Sequence, residues 1–371
     1  MENLKDKKLA LFFTCGVSLK IWEKIGNLER EIKPYNELAK YFKKIYFITY
    51  GNKKEFNFQE KLSTNIRILS KPAFFPSRIY QFFIPLIYYK ELRGADVYKT
   101  NQMAAVIPAI LSKWLYKKKL IIRCGYEWLE FLRKEKKPFW KKALVFNIEK
   151  LAYKNADRII LTSEKDKRFV KNNFKVPFFK IEFIPNYIDT ELFKPLKIEK
   201  DKSKVIFIGR LHEQKNLFNL IEAISGNSCK LAIIGSGCLK EKIKVVARKK
   251  RANIEFRENI PNNKLPEELN RSEIFILPSL YEGCPKTLLE AMSCGLPCIG
   301  TNVEGIKEII RHRENGYLCD ISVESIKKAI VEVLKDKELQ EKIGKNARQD
   351  ILKNFDFLKI MEKEINIYGT L

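Results

Sequence analysis

Short hydrophobic runs alternate along the chain with stretches in which apolar residues recur at helical spacing. In the carboxyl half, apolar runs of strand length lie near residues 204–209, 230–235, 253–257, 274–277, 297–300 and 317–319. The segments between them have the amphipathic pattern of helices. Alternation of this kind predicts a parallel sheet covered by helices on both faces.

The amino half repeats this rhythm with weaker signals. Apolar runs predict strands at 9–13, 45–49, 120–123 and 158–161. Helical patterns lie at about 30–42 and 141–153. Prolines and a charged run interrupt the periodicity near 185–203. We therefore predict two domains, at 1–190 and 191–354, followed by a C-terminal helix at 355–371.

A loop separates the predicted strand at 274–277 from the helix that follows it. Gly283 breaks the apolar run, Thr287 is a suitable helix cap, and Gly295 is a stop signal. This places Glu282 in the loop at the carboxyl end of the strand and Glu290 in the first turn of the helix. Ligands of open α/β sheets bind at that edge, where free N–H groups at a helix start favour anions.

These two acids suit a nucleotide sugar, since one carboxylate can accept hydrogen bonds from ribose and the other from the sugar. Arg210 and Lys215 lie between the strand at 204–209 and the next helix, where a diphosphate would meet two cations. A loop acid, a helix acid favoured by the helix dipole, and basic residues on a lysine-rich surface explain the same four positions. Both interpretations stay open at this level.

Further segments occur in a fixed order along the chain. One is Phe207-Ile-Gly-Arg-Leu-His-Glu-Gln-Lys-Asn216, and another is the block from Glu282 to Glu290. The others are 156–163, 184–189, 193–195, 233–237, 277–279, 305–309 and 315–318. As an ordered set they resemble the retaining glycosyltransferases of family 4. The resemblance is close to complete from about 157 to 318 and weaker before it.

The resemblance implies an α/β protein of GT-B type, with two Rossmann-like, doubly wound parallel-sheet domains that face a cleft. The first domain would bind the acceptor, the second would bind the nucleotide sugar, and the C-terminal helix would return to the first. The implied activity is that of a metal-independent, retaining hexosyltransferase-type enzyme. It would move a sugar from a UDP- or GDP-linked donor to a glycan or lipid-linked acceptor in polysaccharide or glycoconjugate synthesis.

The resemblance also assigns roles within the site. Arg210 and Lys215 would hold the diphosphate and support the departing nucleotide, Glu282 would contact the transferred sugar, and Glu290 would bind the ribose. Other expected donor contacts are Gly16, Gly209, Gly235, Ile260, Gly283, Cys284, Pro285, Lys286, Thr287 and Leu288. Neither a metal nor a cofactor is expected, because two cations and helix N–H groups can stabilise the leaving diphosphate.

The amino half departs from the family pattern at two places. Many members have a glycine pair after the first strand and a histidine at the end of a middle strand. This chain has Cys15-Gly16 at the first place and no histidine in the amino half. At the second place, Arg123 or Glu127 would face the donor sugar or an acceptor hydroxyl, or else would cap a strand end or form an ion pair.

Composition and charge limit the remaining choices. A chain of 371 residues with 45% hydrophobic residues can fill two cores, which excludes a disordered protein. The net charge of +26 includes basic clusters at 117–119, 133–137, 141–142 and 248–251. We expect no nucleic-acid partner, because no stacking motif accompanies these clusters. An anionic membrane surface, which attracts about 1 kcal/mol per basic residue, and a merely solvated basic surface both explain the clusters.

We expect a cytoplasmic protein, peripheral on the inner membrane face. No small-residue cleavage pattern follows the basic start, the apolar run at 82–89 is too short to span a bilayer, and the eight cysteines form no disulfide framework. Two other functions stay open: a GT-B epimerase or hydrolase of sugar nucleotides, and a non-catalytic protein that binds anionic surfaces on this scaffold. The presence of both cations and both glutamates together favours the transferase.

Overall fold

The computed structural model describes residues 4–125, 127–226 and 228–371 and divides the chain into two compact units. The first unit comprises Met1–Pro185 together with Met361–Leu371, and the second comprises Asn186–Ile360. Among the described residues, none of the helices is both long enough and apolar enough to span a bilayer.

The first unit is built on a parallel sheet with the strand order β3-β2-β1-β4-β5-β6-β7. The strands are β1 Lys8–Phe12, β2 Lys44–Ile48, β3 Ile66–Leu69, β4 Val97–Thr100, β5 Lys119–Cys124, β6 Arg158–Leu161 and β7 Ile181–Phe183. Its helices are α1 Leu19–Lys24, α2 Leu28–Leu38, α3 Ser77–Ile87, α4 Tyr89–Arg93, α5 Val106–Tyr116, α6 Trp128–Lys134, α7 Phe139–Asn155 and α8 Glu164–Phe174. Short 3₁₀ segments lie at Lys53–Lys61, Met103–Ala105 and Phe178–Lys180.

The second unit repeats the arrangement with the strand order β10-β9-β8-β11-β12-β13. The strands are β8 Lys204–Ile208, β9 Lys230–Ile234, β10 Ile254–Arg257, β11 Ile274–Leu277, β12 Cys298–Thr301 and β13 Tyr317–Cys319. The helices are α9 Leu217–Ile224, α10 Lys240–Lys249, α11 Leu265–Asn270, α12 Lys286–Ser293, α13 Val323–Lys335 and α14 Lys337–Asn354. Short 3₁₀ turns lie at Glu213–Lys215 and Asn262–Lys264.

The prediction of a doubly wound parallel sheet in each half is confirmed. Three short strands of the first unit, β3, β4 and β7, were not predicted because a charged residue interrupts each apolar run: Arg67, Lys99 and Glu182. In β4 the charged residue is Lys99, which is fully buried in the structure. Sequence patterns treat such a lysine as a surface residue, whereas here its charge is balanced inside the fold.

The last helix of the chain, α15, covers Phe357–Gly369 and supplies that balancing charge. Its buried residue Glu364 contacts the Nζ of Lys99 and lies 3.5 Å from Nη1 of Arg123 on β5. Tyr368 donates a hydrogen bond to the Glu364 carboxylate at 3.2 Å. Burial alone would raise the pKa of Glu364, but Lys99 and Arg123 outweigh it and lower that pKa. The end of the chain is therefore held to the first sheet by charge inside the core.

Candidate functional site

The strand order of the second unit creates a crevice between β8 and β11. The chain runs outward from β8 to β9 and β10 on one side, and from β11 to β12 and β13 on the other. Loops that leave adjacent strands in opposite directions separate at the carboxyl edge, and such switch points bind ligands in open α/β sheets. The loop after β8 carries Arg210 and Lys215, and the loop after β11 carries Glu282.

Lys215 and Glu282 form an ion pair at this edge. Both residues are buried, at 9% and 8% exposure. Ser279 donates to Oε1 of Glu282 at 2.6 Å, and Nε2 of Gln214 lies 3.4 Å from Oε2. Gln214 also donates to the carbonyl of Tyr281 at 2.8 Å, which ties the two loops together. Because a buried charge is costly unless it is paired, these donors fix the Glu282 carboxylate in position.

Arg210 lies at the same edge with an exposed side chain. Its guanidinium has no ion-pair partner within the described part of the chain, in contrast to the buried Lys215. The edge therefore presents one solvated cation beside one held by a carboxylate. An anion entering the crevice would gain a bidentate partner at Arg210 without first breaking a contact.

Helix α12 begins one residue earlier than predicted, at Lys286, with Pro285 at its N-cap position. The prediction that Thr287 caps the helix is wrong, as is the placement of Glu290 in its first turn. Proline fits this position because its fixed backbone angle suits a helix start and the helix needs no N–H there. Glu290 lies one turn further in and is buried, and Asn262 donates to its Oε1 at 3.0 Å.

The loop that leads into α12 is held from two sides. Asn186 donates to the carbonyl of Cys284 at 2.8 Å, and Nζ of Lys286 lies 5.5 Å from the ring centre of Tyr187. On the other side Gly305, with φ +84°, brings its backbone against the carbonyl of Gly283. A Cβ atom at residue 305 would lie 2.2 Å from that oxygen. This glycine is thus required for the close approach of the two loops.

The other predicted donor contacts of the second unit lie along the same carboxyl edge. Gly209 follows β8 and Gly235 follows β9, and a Cβ atom at residue 235 would lie 2.0 Å from the Gly209 carbonyl oxygen. Ile260 is half-buried in the loop after β10. The preceding residue, Asn259, donates to Ser236 Oγ at 3.0 Å and so joins that loop to the one after β9.

The remaining predicted residues, Thr287 and Leu288, lie in the first turn of α12, whose N–H groups point toward the crevice end of the helix. Among the described residues, no group of three or more His, Cys, Asp and Glu side chains is arranged to hold a metal ion. The charged groups predicted to bind the donor, which include Arg210, Lys215, Lys286 and the two glutamates, thus lie on the loops and helix start that follow β8 and β11.

Gly16 lies in the first unit, in the turn between β1 and α1, with φ +80°. The N–H groups of Leu19 and Lys20 at the start of α1 donate to the buried carboxylate of Glu55, at 3.0 and 3.1 Å. The N–H of Ile21 donates to Ser18 Oγ at 3.2 Å. A phosphate at this helix start would have to displace Glu55, an obstacle that sequence inspection did not reveal.

Arg123 and Glu127, the two alternatives for the missing histidine, lie in different surroundings. Arg123 pairs with Glu364. Glu127 is buried and accepts hydrogen bonds from the Tyr153 hydroxyl, at 2.7 and 2.9 Å from its two oxygens. Burial, with Glu149 nearby, raises the pKa of Glu127 well above its usual range. Both side chains therefore have structural partners within the first unit.

Sequence inspection missed three residues that position the glutamates: Gln214, Ser279 and Asn262. Gln214 precedes Lys215, and Ser279 lies in the quoted segment 277–279, so both were within recognised motifs. The missing information was burial, because each of these polar side chains is less than 5% exposed and is committed to a partner. Asn262 lies in a short 3₁₀ turn without any distinctive pattern.

Comparison with family models identifies both halves of the chain. Residues 188–350 match the model described as glycosyl transferases group 1, and residues 36–192 match the model described as glycosyltransferase family 4. The two matches together extend from residue 36, within α2, to residue 350, within α14.

Individual relatives agree with these matches. Over 246 residues, 60% of this chain, it is 32% identical to the UDP-Gal:alpha-D-GlcNAc-diphosphoundecaprenol alpha-1,3-galactosyltransferase of Escherichia coli. Over 220 residues, 57% of the chain, it is 30% identical to a 4-alpha-N-acetylgalactosaminyltransferase of Campylobacter jejuni, whose name specifies a diphospho-undecaprenol-linked acceptor. The chain spans 62% and 59% of the length of these curated relatives.

Solved structures share the fold over nearly the whole chain. An Anabaena protein in complex with UDP and glucose superposes with a TM-score of 0.79, covering 99% of this chain and 100% of its own at 15% identity. Sucrose-phosphate synthase from Thermosynechococcus elongatus gives a TM-score of 0.77, covering 98% of both chains at 17% identity. At such identities the likeness is one of architecture.

Proposed function

Because the chain belongs to the glycosyltransferases of the family 4 type and has their GT-B fold, we propose that it transfers a sugar from a nucleoside-diphosphate sugar to a glycan or lipid-linked acceptor. The proposed donor is UDP- or GDP-linked. The proposed reaction retains the configuration of the anomeric carbon and uses no metal ion.

The observation that carries this proposal is the contact between Lys215 and Glu282 at the switch point. The bond that breaks in such a donor joins the anomeric carbon to a phosphate oxygen. A residue that contacts the sugar and a residue that binds the diphosphate must therefore be neighbours. Lys215 and Glu282 come from two loops separated by more than sixty residues, and they meet at the ligand-binding edge.

Charge accounts for the roles that we propose. As the bond breaks, positive charge develops on the sugar ring and negative charge on the departing diphosphate. The Glu282 carboxylate would stabilise the first, while Arg210, Lys215 and the N–H groups at the start of α12 would stabilise the second. Two cations can do for a diphosphate what a divalent metal ion does in other sites, which is why we propose a metal-independent reaction.

Retention would follow from a front-face reaction. The acceptor hydroxyl would attack on the side from which the phosphate leaves, and a phosphate oxygen would help to take its proton. We assign no side-chain nucleophile, because Glu282 is already engaged by Lys215 and Ser279. Glu290, held by Asn262, would bind the ribose, and Ile260 with its neighbours would contact the base.

The proposed acceptor class comes from the relatives. The names of the Escherichia coli and Campylobacter jejuni enzymes both specify acceptors linked to undecaprenol by a diphosphate. A lipid-linked acceptor would place this protein at the cytoplasmic face of the inner membrane, as a peripheral protein. A free glycan acceptor would impose no such location.

The test begins with donor identity. Nucleotide sugars are screened by thermal unfolding, where a ligand at 100 times its Kd should stabilise the protein by about 2.7 kcal/mol. Transfer from the identified donor is then measured for the wild type and for Lys215→Ala, with Lys249→Ala on the exposed side of α10 as a matched control. Lys215→Ala should lower turnover by about two to three orders of magnitude, and Lys249→Ala should not change it.

Other results would overturn the proposal in distinct ways. Near-normal transfer by Lys215→Ala would refute the diphosphate role. Release of a free or epimerised sugar in the absence of any acceptor, with no transfer when acceptors are supplied, would identify a hydrolase or epimerase. If NMR of the product linkage shows that the configuration of the anomeric carbon is inverted, the front-face mechanism is excluded.

A further inference from the structure

Helices α3, α5 and α7 lie side by side on one face of the first sheet. They connect β3 to β4, β4 to β5 and β5 to β6, all in the same direction across the sheet, and right-handed crossovers place such helices on one face. Helix α5 packs against both α3 and α7. Two hydrogen bonds near its carboxyl end join the three: Tyr116 donates to the Pro85 carbonyl and Trp114 to the Asn155 side chain, each at 2.8 Å.

Helix α3 has large apolar side chains on its outer side as well as its inner side. Tyr80 and Ile84 are buried against the unit, as expected for a surface helix. On the outer side, Ile79, Phe82, Phe83 and Leu86 follow one another at helical spacing and all are exposed. A stripe of four large apolar residues in water requires an explanation, whereas a single exposed one does not.

The neighbouring helices extend this stripe. Trp114 and Leu115 are exposed at the end of α5, and Phe139, Trp140 and Leu144 are exposed at the start of α7. Phe139 is 81% exposed, the highest value among the large apolar residues of the chain's described part. We call the outer sides of α3, α5 and α7, with these side chains, the aromatic-basic face.

The charges of this face are of one sign. Across α3, α5 and α7 the sequence contains a single acid, Glu149, and it is fully buried. Exposed basic residues on the same helices are Arg78, Lys141, Lys150 and Lys154. Nζ of Lys141 lies 5.2 Å from the ring centre of Trp140, so an ammonium and an indole are presented together. The segment that follows α5 adds Lys117 and Lys118 in the loop and Lys119 at the start of β5.

We propose that the aromatic-basic face is a binding surface for anionic lipid bilayers, with the apolar side chains entering the headgroup region and the basic residues contacting lipid phosphates. The combination of apolar burial and attraction to anionic lipid is what holds interfacial helices at a membrane. Tryptophan favours the interface itself, where its ring is half in water. This inference goes beyond the proposed reaction and rests on it only for the reason why the chain would need a lipid surface.

Two other occupants fit the face less well. A second copy of the chain would bring two surfaces with only basic charges together, which costs energy through repulsion. A single-stranded nucleic acid binds by stacking its bases on aromatic rings, but Ile79, Leu86, Leu115 and Leu144 are aliphatic and offer no such platform. Acyl chains accept aliphatic and aromatic side chains alike.

The test uses the full chain and sedimentation with vesicles, either of phosphatidylcholine alone or of equal parts of phosphatidylcholine and phosphatidylglycerol. The double variant Phe82→Ser/Phe83→Ser removes two rings from the face. Its matched control is Phe56→Ser, because Phe56 is 49% exposed and Phe82 is 53% exposed. Phe56 lies in the β2–β3 connection, which crosses the sheet in the opposite direction and therefore lies on the other face. Equal urea midpoints would verify that the variants fold.

The wild type should bind the mixed vesicles, and brominated lipid should quench its tryptophan fluorescence. Phe82→Ser/Phe83→Ser should bind at least about tenfold more weakly, while Phe56→Ser should bind as the wild type does. Lys141→Glu/Lys150→Glu should lose about fivefold or more per lysine. The transfer-deficient Lys215→Ala variant should bind normally, which separates this proposal from the proposed reaction.

Four results would overturn the inference. The first is that Phe82→Ser/Phe83→Ser binds the mixed vesicles as well as the wild type does. The second is that the wild type binds neutral and mixed vesicles equally, and the third is that it binds a single-stranded oligonucleotide but no vesicles. The fourth is a concentration-dependent dimer that the double variant abolishes while the wild type ignores vesicles, which would assign the face to a second copy.

Discussion

The substitution Glu364→Gln should destabilise the first unit strongly. In the wild type the Glu364 carboxylate contacts Lys99, lies 3.5 Å from Arg123 and accepts a hydrogen bond from Tyr368. Glutamine keeps the shape but not the charge, so two cations would remain together, with Lys99 only 1% exposed. Removing one partner of a buried ion pair costs about 3–5 kcal/mol because the other charge is left uncompensated.

Companion substitutions sharpen the expectation. Lys99→Met should cost less, about 1–3 kcal/mol, because Arg123 and Tyr368 still contact the carboxylate. The pair Lys99→Met/Glu364→Leu should recover part of the loss, since it removes both buried charges. The pKa of Glu364 is lower in the folded protein than in the unfolded chain. Its contribution to the free energy of unfolding is therefore fully present above the pKa of the unfolded chain, and it is lost as the pH falls through the pKa of the folded protein. The difference in free energy of unfolding between the wild type and Glu364→Gln should therefore become smaller at acidic pH.

Tryptophan fluorescence in urea isolates the relevant unit, because all four tryptophans of the chain lie between residues 22 and 140. With an m value of about 2 kcal/mol/M, the Glu364→Gln midpoint should fall by about 1.5–2.5 M. The matched control is Glu362→Gln, an exposed position on the same helix, which should not move the midpoint. A Glu364→Gln midpoint within about 0.3 M of that control would refute the reasoning.

Further outcomes follow from three other contacts. Burial raises the pKa of Glu149 to about 7 from 4.5, so the folded state binds an extra proton between these values, and the free energy of unfolding should fall by up to about 3 kcal/mol as the pH rises through that window. Glu149→Gln should flatten this dependence in urea titrations, and an unchanged profile would contradict it. Gly305→Ala should destabilise the second unit by about 1–3 kcal/mol, measured by circular dichroism. The loss should exceed that of Gly226→Ala, because Gly226 also has a positive φ, +75°, but open space where its Cβ would lie. Asn262→Ala should release Glu290 and weaken nucleoside-diphosphate binding about tenfold by calorimetry, an effect near 1.4 kcal/mol; equal affinities would remove the ribose role.

Much of the second unit could be predicted because most of its strands have an apolar centre, with charged residues mainly at their ends. The run 274–277 contains no polar residue and is followed by Pro278, so the predicted strand and the observed strand coincide there. The helix after that strand was placed one residue late, because threonine is the commoner cap and the proline before it was interpreted as a loop residue. The error shifted Glu290 by one helical position, from the end of the first turn to the start of the second, and left it on the helix that follows β11.

The first unit was harder to predict because its stabilising charges are distant in sequence. Lys99 and Glu364 are separated by 265 residues, and neither position differs in pattern from a surface residue. Glu55 is similar: nothing in its local sequence indicates that it accepts two N–H groups from α1. Partners of this kind depend on the three-dimensional fold, whereas motifs report only neighbours along the chain.

The return of α15 to the first sheet has a consequence for biosynthesis. A ribosome releases the amino-terminal segment long before residue 364 is made, so Lys99 and Arg123 must wait for their carboxylate while the whole second unit is synthesised. That unit is one continuous segment, Asn186–Ile360, and can complete its core first. The unit that is translated first thus completes its charge pairing last, and a premature stop at or before codon 364 would leave a finished second unit attached to a first unit in which the buried Lys99 lacks its carboxylate.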